Sequence, residues 1–115
     1  MSKPSVGDVY YRYENDNLIN FFDGIKKGLP IKPDEFLVES VTNAGCWVHH
    51  RLYTERKFIL DGARKRYAYP TKKLAWDSFK RRRYMQADIL DRQLRRLNQI
   101  LYYVKEIDAK GGVDM

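Results

Sequence analysis

The chain has 115 residues, of which 43% are hydrophobic, 14% aromatic and 32% charged. This apolar content excludes a disordered chain, and the length is typical of a single domain. No stretch reaches the roughly 18 apolar residues of a membrane-spanning helix, and the first residues lack the apolar segment of a signal peptide. Because Cys46 is the only cysteine, an intrachain disulfide is excluded, and we expect a cytosolic protein.

The net charge of +7 is distributed unevenly along the chain. Residues 1–50 carry five basic and seven acidic side chains, residues 51–83 carry twelve and three, and residues 84–115 carry five and five. The excess therefore lies in the middle of the chain. Concentrated positive charge attracts nucleic acids, nucleotides or acidic protein surfaces, although a basic face that is only solvated is the alternative.

The first third of the chain predicts one strand and a loop. Within residues 6–16, Val9, Tyr11 and Tyr13 alternate with Tyr10 and Arg12, and this period of two is typical of a half-buried strand. Residues 14–17 then predict a turn. Residues 18–22 fit a short helix or a strand equally well. Residues 23–33 contain two glycines and two prolines, and so predict a loop.

Residues 35–53 predict a β-hairpin. Its turn is Thr42–Gly45, where glycine is available for a positive φ, and its return arm runs from Cys46 to Tyr53. A third strand is predicted around Phe58–Leu60. After a turn at Asp61 and Gly62, the alternation of Tyr67 and Tyr69 predicts a short last strand.

A long helix is predicted after residue 70. Thr71 is a good N-cap, because its hydroxyl can accept a hydrogen bond from a free amide of the first turn. No glycine or proline then occurs before Gly111, and a helix over Lys72–Lys110 would be about 50 Å long.

The predicted fold class is α+β: a small antiparallel β-sheet of about four to five strands, followed by one long C-terminal α-helix that packs its first half on the sheet. We expect one domain over residues 1–115, with the sheet in residues 6–70 and the helix in residues 71–110.

The second half of this helix has an apolar seam. Its members recur at spacings of 4, 3, 4 and 3, which is the a/d pattern of a coiled coil. Ile100 and Ile107 widen the stripe. A sheet of average strands, about 17–20 Å long, cannot cover a helix of this length, so either the helix is broken near Arg82–Tyr84 or its far end pairs with another chain. We expect a homodimer through the seam, which consists of Leu90, Leu94, Leu97, Leu101 and Val104.

The sequence offers little for catalysis or for a metal ion. Cys46 and His50 share a strand face and His49 points away, so two ligands at most converge and no further pair completes a zinc site. Cys46 and His50 could also meet as nucleophile and base, but nothing marks an oxyanion hole. Phosphate-binding glycine motifs are absent. We therefore expect no enzyme activity, no cofactor and no metal.

Residues 64–83, which we call the basic segment, are the main candidate for a binding surface. They hold nine basic side chains against a single acidic one, Asp77. Lys72 and Lys73 fall in the first turn of the helix, where the dipole favours anions, so a bound anion would satisfy both the lysines and the free amides. The tyrosines and the tryptophan either stack on a base or a guanidinium or pack in the core. The candidate residues are Arg64, Lys65, Arg66, Tyr67, Tyr69, Lys72, Lys73, Trp76, Lys80, Arg81, Arg82 and Arg83.

The chain resembles a group of small accessory proteins of tailed bacteriophages. The resemblance rests on an RYE strand at Arg12–Glu14, a Thr-x-x-Gly-x-Trp hairpin at Thr42–Trp47, the segment Lys65–Lys72 and an Ala-x-x-Ser-Phe-x-x-Arg helix at Ala75–Arg82. It covers about nine-tenths of the chain and is most specific in the basic segment. It implies no catalytic residue.

The resemblance implies a protein that acts by binding. We expect a non-enzymatic phage protein in the host cytoplasm that inhibits a host defence component of the CRISPR, restriction or nucleotide-signalling type through its basic surface. Direct binding of nucleic acid or of a nucleotide is the alternative, and a structural virion component is the third. The expected partner is thus a host protein or nucleoprotein complex, with a second copy of the chain at the C-terminal helix and no membrane.

Overall fold

The computed structural model describes residues 3–22 and 31–113 and contains one sheet and two helices in this part of the chain. It divides into two compact units, Met1–Lys80 and Arg81–Met115. None of the described helices is both long and apolar enough to cross a membrane. The elements, in chain order, are β1 (Val9–Arg12), α1 (Asn15–Phe22), β2 (Asp34–Val41), β3 (Gly45–His50), β4 (Arg56–Leu60) and α2 (Lys72–Ala109). This arrangement confirms the predicted α+β class.

The four strands form one antiparallel sheet in the order β1-β2-β3-β4. One face of this sheet holds the main core. The register places Tyr10 opposite Phe36 and Cys46 opposite Ile59, and all four side chains are buried. A register shift in β2 follows Val38, so the strict alternation of side chains between the two sheet faces does not continue through Val41.

The segment that precedes α2 packs against this core and does not form a strand. Ala68 is fully buried in the main core cluster, and Tyr67 packs against the same cluster. The only β-type pairing of this segment with described residues is an isolated bridge between Tyr11 and Tyr69, whose two N–H···O distances are 2.6 and 2.9 Å. Of the short strand predicted at Tyr67–Tyr69, only this single pairing at the free edge of β1 is present, because Tyr67 and Ala68 pack against the core and do not continue the ladder.

Strand β1 is shorter than predicted, and a helix follows it at once. Tyr13 lies beyond the end of β1 and is buried in a second hydrophobic cluster, so it does not belong to the alternating strand that the sequence predicts. The Glu14 amide donates to Asn17 Oδ1 at 2.7 Å, and the Asn17 amide donates to the Glu14 carbonyl at 3.1 Å. These bonds start α1, so the turn predicted at residues 14–17 was wrong, and residues 18–22 are helical. Of the loop predicted at residues 23–33, residues 23–30 lie outside the described part of the chain.

The hairpin is present, with two corrections. Its return arm, β3, ends at His50 and does not reach Tyr53. Gly45 has no positive φ, and its role is instead to allow a close approach between strands. A Cβ atom at this position would lie 2.0 Å from the carbonyl oxygen of Ile59 in β4, so only glycine fits there.

Helix α2 begins where the sequence predicts. Thr71 Oγ1 accepts a hydrogen bond from the Leu74 amide at 3.2 Å, which confirms Thr71 as the N-cap. The helix is continuous through residues 82–84, so of the two alternatives that the sequence left open, a break at this point is absent. Its buried residues are only Ala75, Ser78 and Phe79. Burial in α2 is therefore confined to its first turns, a shorter stretch than the first half that the sequence predicts.

Candidate basic contact surface

The first unit contains the part of the basic segment up to Lys80. Most basic side chains in this part are exposed to solvent. Arg66 is half-buried, and its guanidinium Nε donates to the Ala63 carbonyl at 3.0 Å. The loop before α2 and the first turns of that helix present the others. The exposed residues are Arg64, Lys65, Lys72, Lys73 and Lys80.

One carboxylate forms ion pairs with two of these cations. Asp77 lies 3.8 Å from Lys73 Nζ and 3.5 Å from Lys80 Nζ, one helical turn away on either side. None of the described carboxylates lies within ion-pair distance of Arg64, Lys65 or Lys72. The ammonium of Lys72 instead lies 5.7 Å from the centroid of the Tyr11 ring. The charge of this region therefore remains mostly uncompensated.

The three arginines that open the second unit are not equivalent. Arg81 is exposed, and no described carboxylate pairs with it. Arg82 and Arg83 are half-buried and have interaction partners of their own. Arg81 is therefore the arginine of this triplet that is most accessible to an external anion.

The ring of Tyr67 is already covered by neighbouring side chains. The Arg12 guanidinium lies 4.3 Å from its centroid and the Lys57 ammonium 5.4 Å, while Phe36 makes an edge contact at 5.2 Å. This stack on a guanidinium is one of the two roles that the sequence left open for the tyrosines. Here the guanidinium belongs to the protein itself.

Tyr69 and Trp76 also pack internally. Tyr69 is 9% exposed, and its hydroxyl accepts a hydrogen bond from the Arg66 amide at 3.3 Å. The Trp76 ring lies 5.2 Å from Tyr13 in an edge contact and 5.7 Å from Phe79 in a stacked one. Tyr69 and Trp76 thus take the core role, and the ring of Tyr67 is covered by Arg12 and Lys57, so the cations are the accessible groups of the basic segment.

A cleft of about 740 Å³ adjoins Arg66 and includes residues that the sequence did not suggest. Its walls bring together the N-terminal residues, β1 and the turn after β4. Lys3 Nζ lies 3.9 Å from Asp61 in this cleft, and Tyr10 lines it. No local signal marks these residues, because more than 50 positions separate Lys3 from Asp61 in the chain.

Cys46 and His50 do not form a catalytic pair. They lie on one face of β3 but four residues apart, which corresponds to about 13 Å along a strand. Burial raises the pKa of the fully buried Cys46 thiol, and a hydrogen bond with the Tyr10 hydroxyl partly opposes this shift. His50 Nδ1 accepts a hydrogen bond from the Leu52 amide at 3.0 Å. Within residues 3–22 and 31–113, no three His, Cys, Asp or Glu side chains are placed to hold a metal ion.

The apolar seam of α2 is exposed along its whole length. Within the second unit, every described residue from Tyr84 to Val113 is exposed. The five seam side chains are 45–56% exposed, and Ile100 and Ile107 are each 47% exposed. Nothing in the described part of this unit covers the seam.

Comparison with known proteins gives no relative for this chain. No protein-family model matches it, and neither a curated protein nor a solved structure does. The resemblance to small phage proteins therefore stays a prediction.

Proposed function

We propose that the protein acts by binding and not by catalysis, and that the basic segment is its contact surface. The partner in this proposal is an acidic or anionic surface of a host defence component, which the phage protein inhibits in the host cytoplasm. The basic charge supplies attraction and orientation, since complementary charge accelerates encounter and selects among partners.

A single observation carries this proposal: the exposed cations of the basic segment greatly outnumber the carboxylates that could pair with them. Four of these cations, Arg64, Lys65, Lys72 and Arg81, have no described carboxylate within ion-pair distance. Elsewhere in the first unit, by contrast, Arg51 lies 2.9 Å from Glu35, and Arg56 lies 2.9 Å from Glu39. The basic segment is thus placed to supply charge to an external partner.

The proposal is tested by affinity purification of the tagged protein from bacteria that carry one defined CRISPR, restriction or nucleotide-signalling system. We expect a stoichiometric complex with a component of that system that survives nuclease treatment. The surface variant, Arg64→Ala/Lys65→Ala/Arg81→Ala, is expected to lose the complex. The control variant, Arg92→Ala/Arg96→Ala/Lys110→Ala, loses the same charge outside the segment and should retain it.

Loss of every complex on nuclease treatment would favour a second function, direct nucleic-acid binding. The same unpaired cations support this alternative. Contacts to phosphate require exposed cations, and they do not require a free aromatic ring. The covered ring of Tyr67 argues against base stacking, so this binding would show little sequence preference. Fluorescence anisotropy with labelled DNA and RNA would then show an affinity that falls steeply with salt. In the surface variant the log–log salt slope would decrease by about 2–3, since each lost phosphate contact removes about 0.9.

A further inference from the structure

The apolar stripe of α2 consists of the seam together with Ile100 and Ile107. Its residues follow one face of the helix for about 26 Å, from Leu90 to Ile107. All seven side chains are about half exposed. Single exposed apolar residues are ordinary on protein surfaces, but a continuous stripe of this length marks an interaction surface.

We propose that this stripe pairs with the same stripe of a second copy of the chain, and that the two helices run antiparallel. The two-fold axis would then cross the helix pair at the level of residue 99. This inference rests on the second unit alone and is independent of the proposed function.

The seam pairs well with itself in the antiparallel direction. In heptad terms, Leu94 and Leu101 occupy a positions, while Leu97 and Val104 occupy d positions. In an antiparallel pair each a residue faces a d residue of the other helix. Leu94 then faces Val104 of the second copy, and Leu97 faces Leu101 of the second copy. The symmetry repeats both contacts and gives four consecutive apolar layers.

The residues beside the seam select the antiparallel direction through their charge. In this register Asp91, at an e position, lies beside Lys105 of the second copy, and symmetry makes this pair twice. Ile100, at a g position, meets Ile100 of the second copy and widens the apolar contact at the axis. Charged e and g residues are known to determine the orientation of paired helices. Within one chain Asp91 lies 3.1 Å from Arg95, in an exposed pair that leaves the carboxylate accessible.

The parallel direction is less favourable for the same residues. It would place Asp108 against Asp108 of the second copy, at the a position that follows the seam. Lys105 would lie beside Ile100 of the second copy, so no pair of opposite charges would form between the two helices. Antiparallel helices also bring the positive end of each helix dipole near the negative end of the other.

The dimer is expected to be weak. A contact of about two and a half heptads is short for a coiled coil, and small interfaces dissociate readily. Sedimentation equilibrium should therefore show a monomer–dimer transition in the micromolar range. Leu97→Asp should give monomers throughout. Tyr103→Asp is the matched control, because Tyr103 is equally exposed at 52% but lies off the stripe, and it should still dimerise.

Disulfide cross-linking distinguishes the two directions. In the antiparallel dimer two Ile100→Cys side chains meet at the axis and should form an interchain disulfide under mild oxidation. Two Leu90→Cys side chains would lie about 27 Å apart along the axis, since residue 90 faces residue 108, and should not. Efficient cross-linking through Leu90→Cys would overturn the antiparallel assignment.

A charge swap tests the predicted ion pair. Lys105→Glu should weaken dimerisation, because the new carboxylate faces Asp91 of the second copy. Adding Asp91→Lys should restore it. A wild-type protein that is monomeric at high micromolar concentration would overturn the proposal entirely, and failure of the swap to restore the dimer would overturn the register. Neither result would affect the binding test of the basic segment.

Discussion

Arg12 lies over the face of Tyr67 and also donates a hydrogen bond to its backbone. The guanidinium carbon is 4.3 Å from the ring centroid, and Nη1 is 2.5 Å from the Tyr67 carbonyl oxygen. The same guanidinium contacts Glu14. Because 55 residues separate Arg12 from Tyr67, this contact ties β1 to the start of the basic segment, before α2.

We expect Arg12→Lys to lower the free energy of unfolding by about 1–3 kcal/mol. A lysine cannot keep both the ring contact and the charged hydrogen bond to the carbonyl. Arg56→Lys is the matched control, since Arg56 lies 4.9 Å from the Trp47 ring but is much more exposed. Urea denaturation measures both variants, and equal losses would contradict the role assigned to Arg12.

The N-cap of α2 gives a second stability prediction. Thr71→Ala should cost about 1 kcal/mol, because the Leu74 amide loses its hydrogen-bond acceptor. Thr71→Ser keeps a hydroxyl and should cost much less. Thermal unfolding followed by circular dichroism tests the pair, and an alanine variant as stable as the serine variant would argue against the cap.

Gly45 is expected to be the most sensitive of the described glycines. Gly45→Ala places a methyl group against the backbone of Ile59 and should cost about 3 kcal/mol or more. Gly62→Ala serves as the comparison, because Gly62 has a φ of +70° but open space around it, and it should cost about 1 kcal/mol. The reverse order of these losses in denaturant titrations would refute the close approach of β3 and β4.

Stability is expected to fall at alkaline pH. Burial is the main cause that raises the pKa values of Cys46 and Tyr10, so folding favours their neutral forms. This contribution is complete below the ordinary thiol pKa of about 8.5 and is lost as the pH rises through the higher folded-state value. Unfolding curves at stepwise pH should show the decline. Cys46→Ala should make it shallower, and an unchanged decline in that variant would assign the effect to other groups.

Local signals in the sequence were enough to predict the main elements. The glycine-free and proline-free run after Thr71 predicted α2, the Thr71 hydroxyl predicted its cap, and the hairpin pattern of residues 35–53 predicted two of the strands. The failures have tertiary causes. Tyr67 and Tyr69 alternate as a strand does, but only Tyr69 pairs with β1, while Tyr67 packs against the core and is held by Arg12.

The candidate site was predictable in its charge but not in its detail. The basic character of residues 64–83 follows directly from composition. Which cations reach solvent depends on packing that the sequence does not reveal: Arg81 is exposed, whereas the adjacent Arg82 and Arg83 are half-buried. The cleft beside Arg66 joins distant parts of the chain, so it has no local signature at all.

The most direct test of the proposed function is the plating efficiency of a phage that a defined host defence system restricts, measured in bacteria that produce this protein. We predict that the wild-type protein and the control variant, Arg92→Ala/Arg96→Ala/Lys110→Ala, both raise plating. The surface variant, Arg64→Ala/Lys65→Ala/Arg81→Ala, should not raise it when it is produced at the same level. If the surface variant protected the phage as well as the wild type does, or if the wild type protected it against none of the three classes of defence, the account would be contradicted.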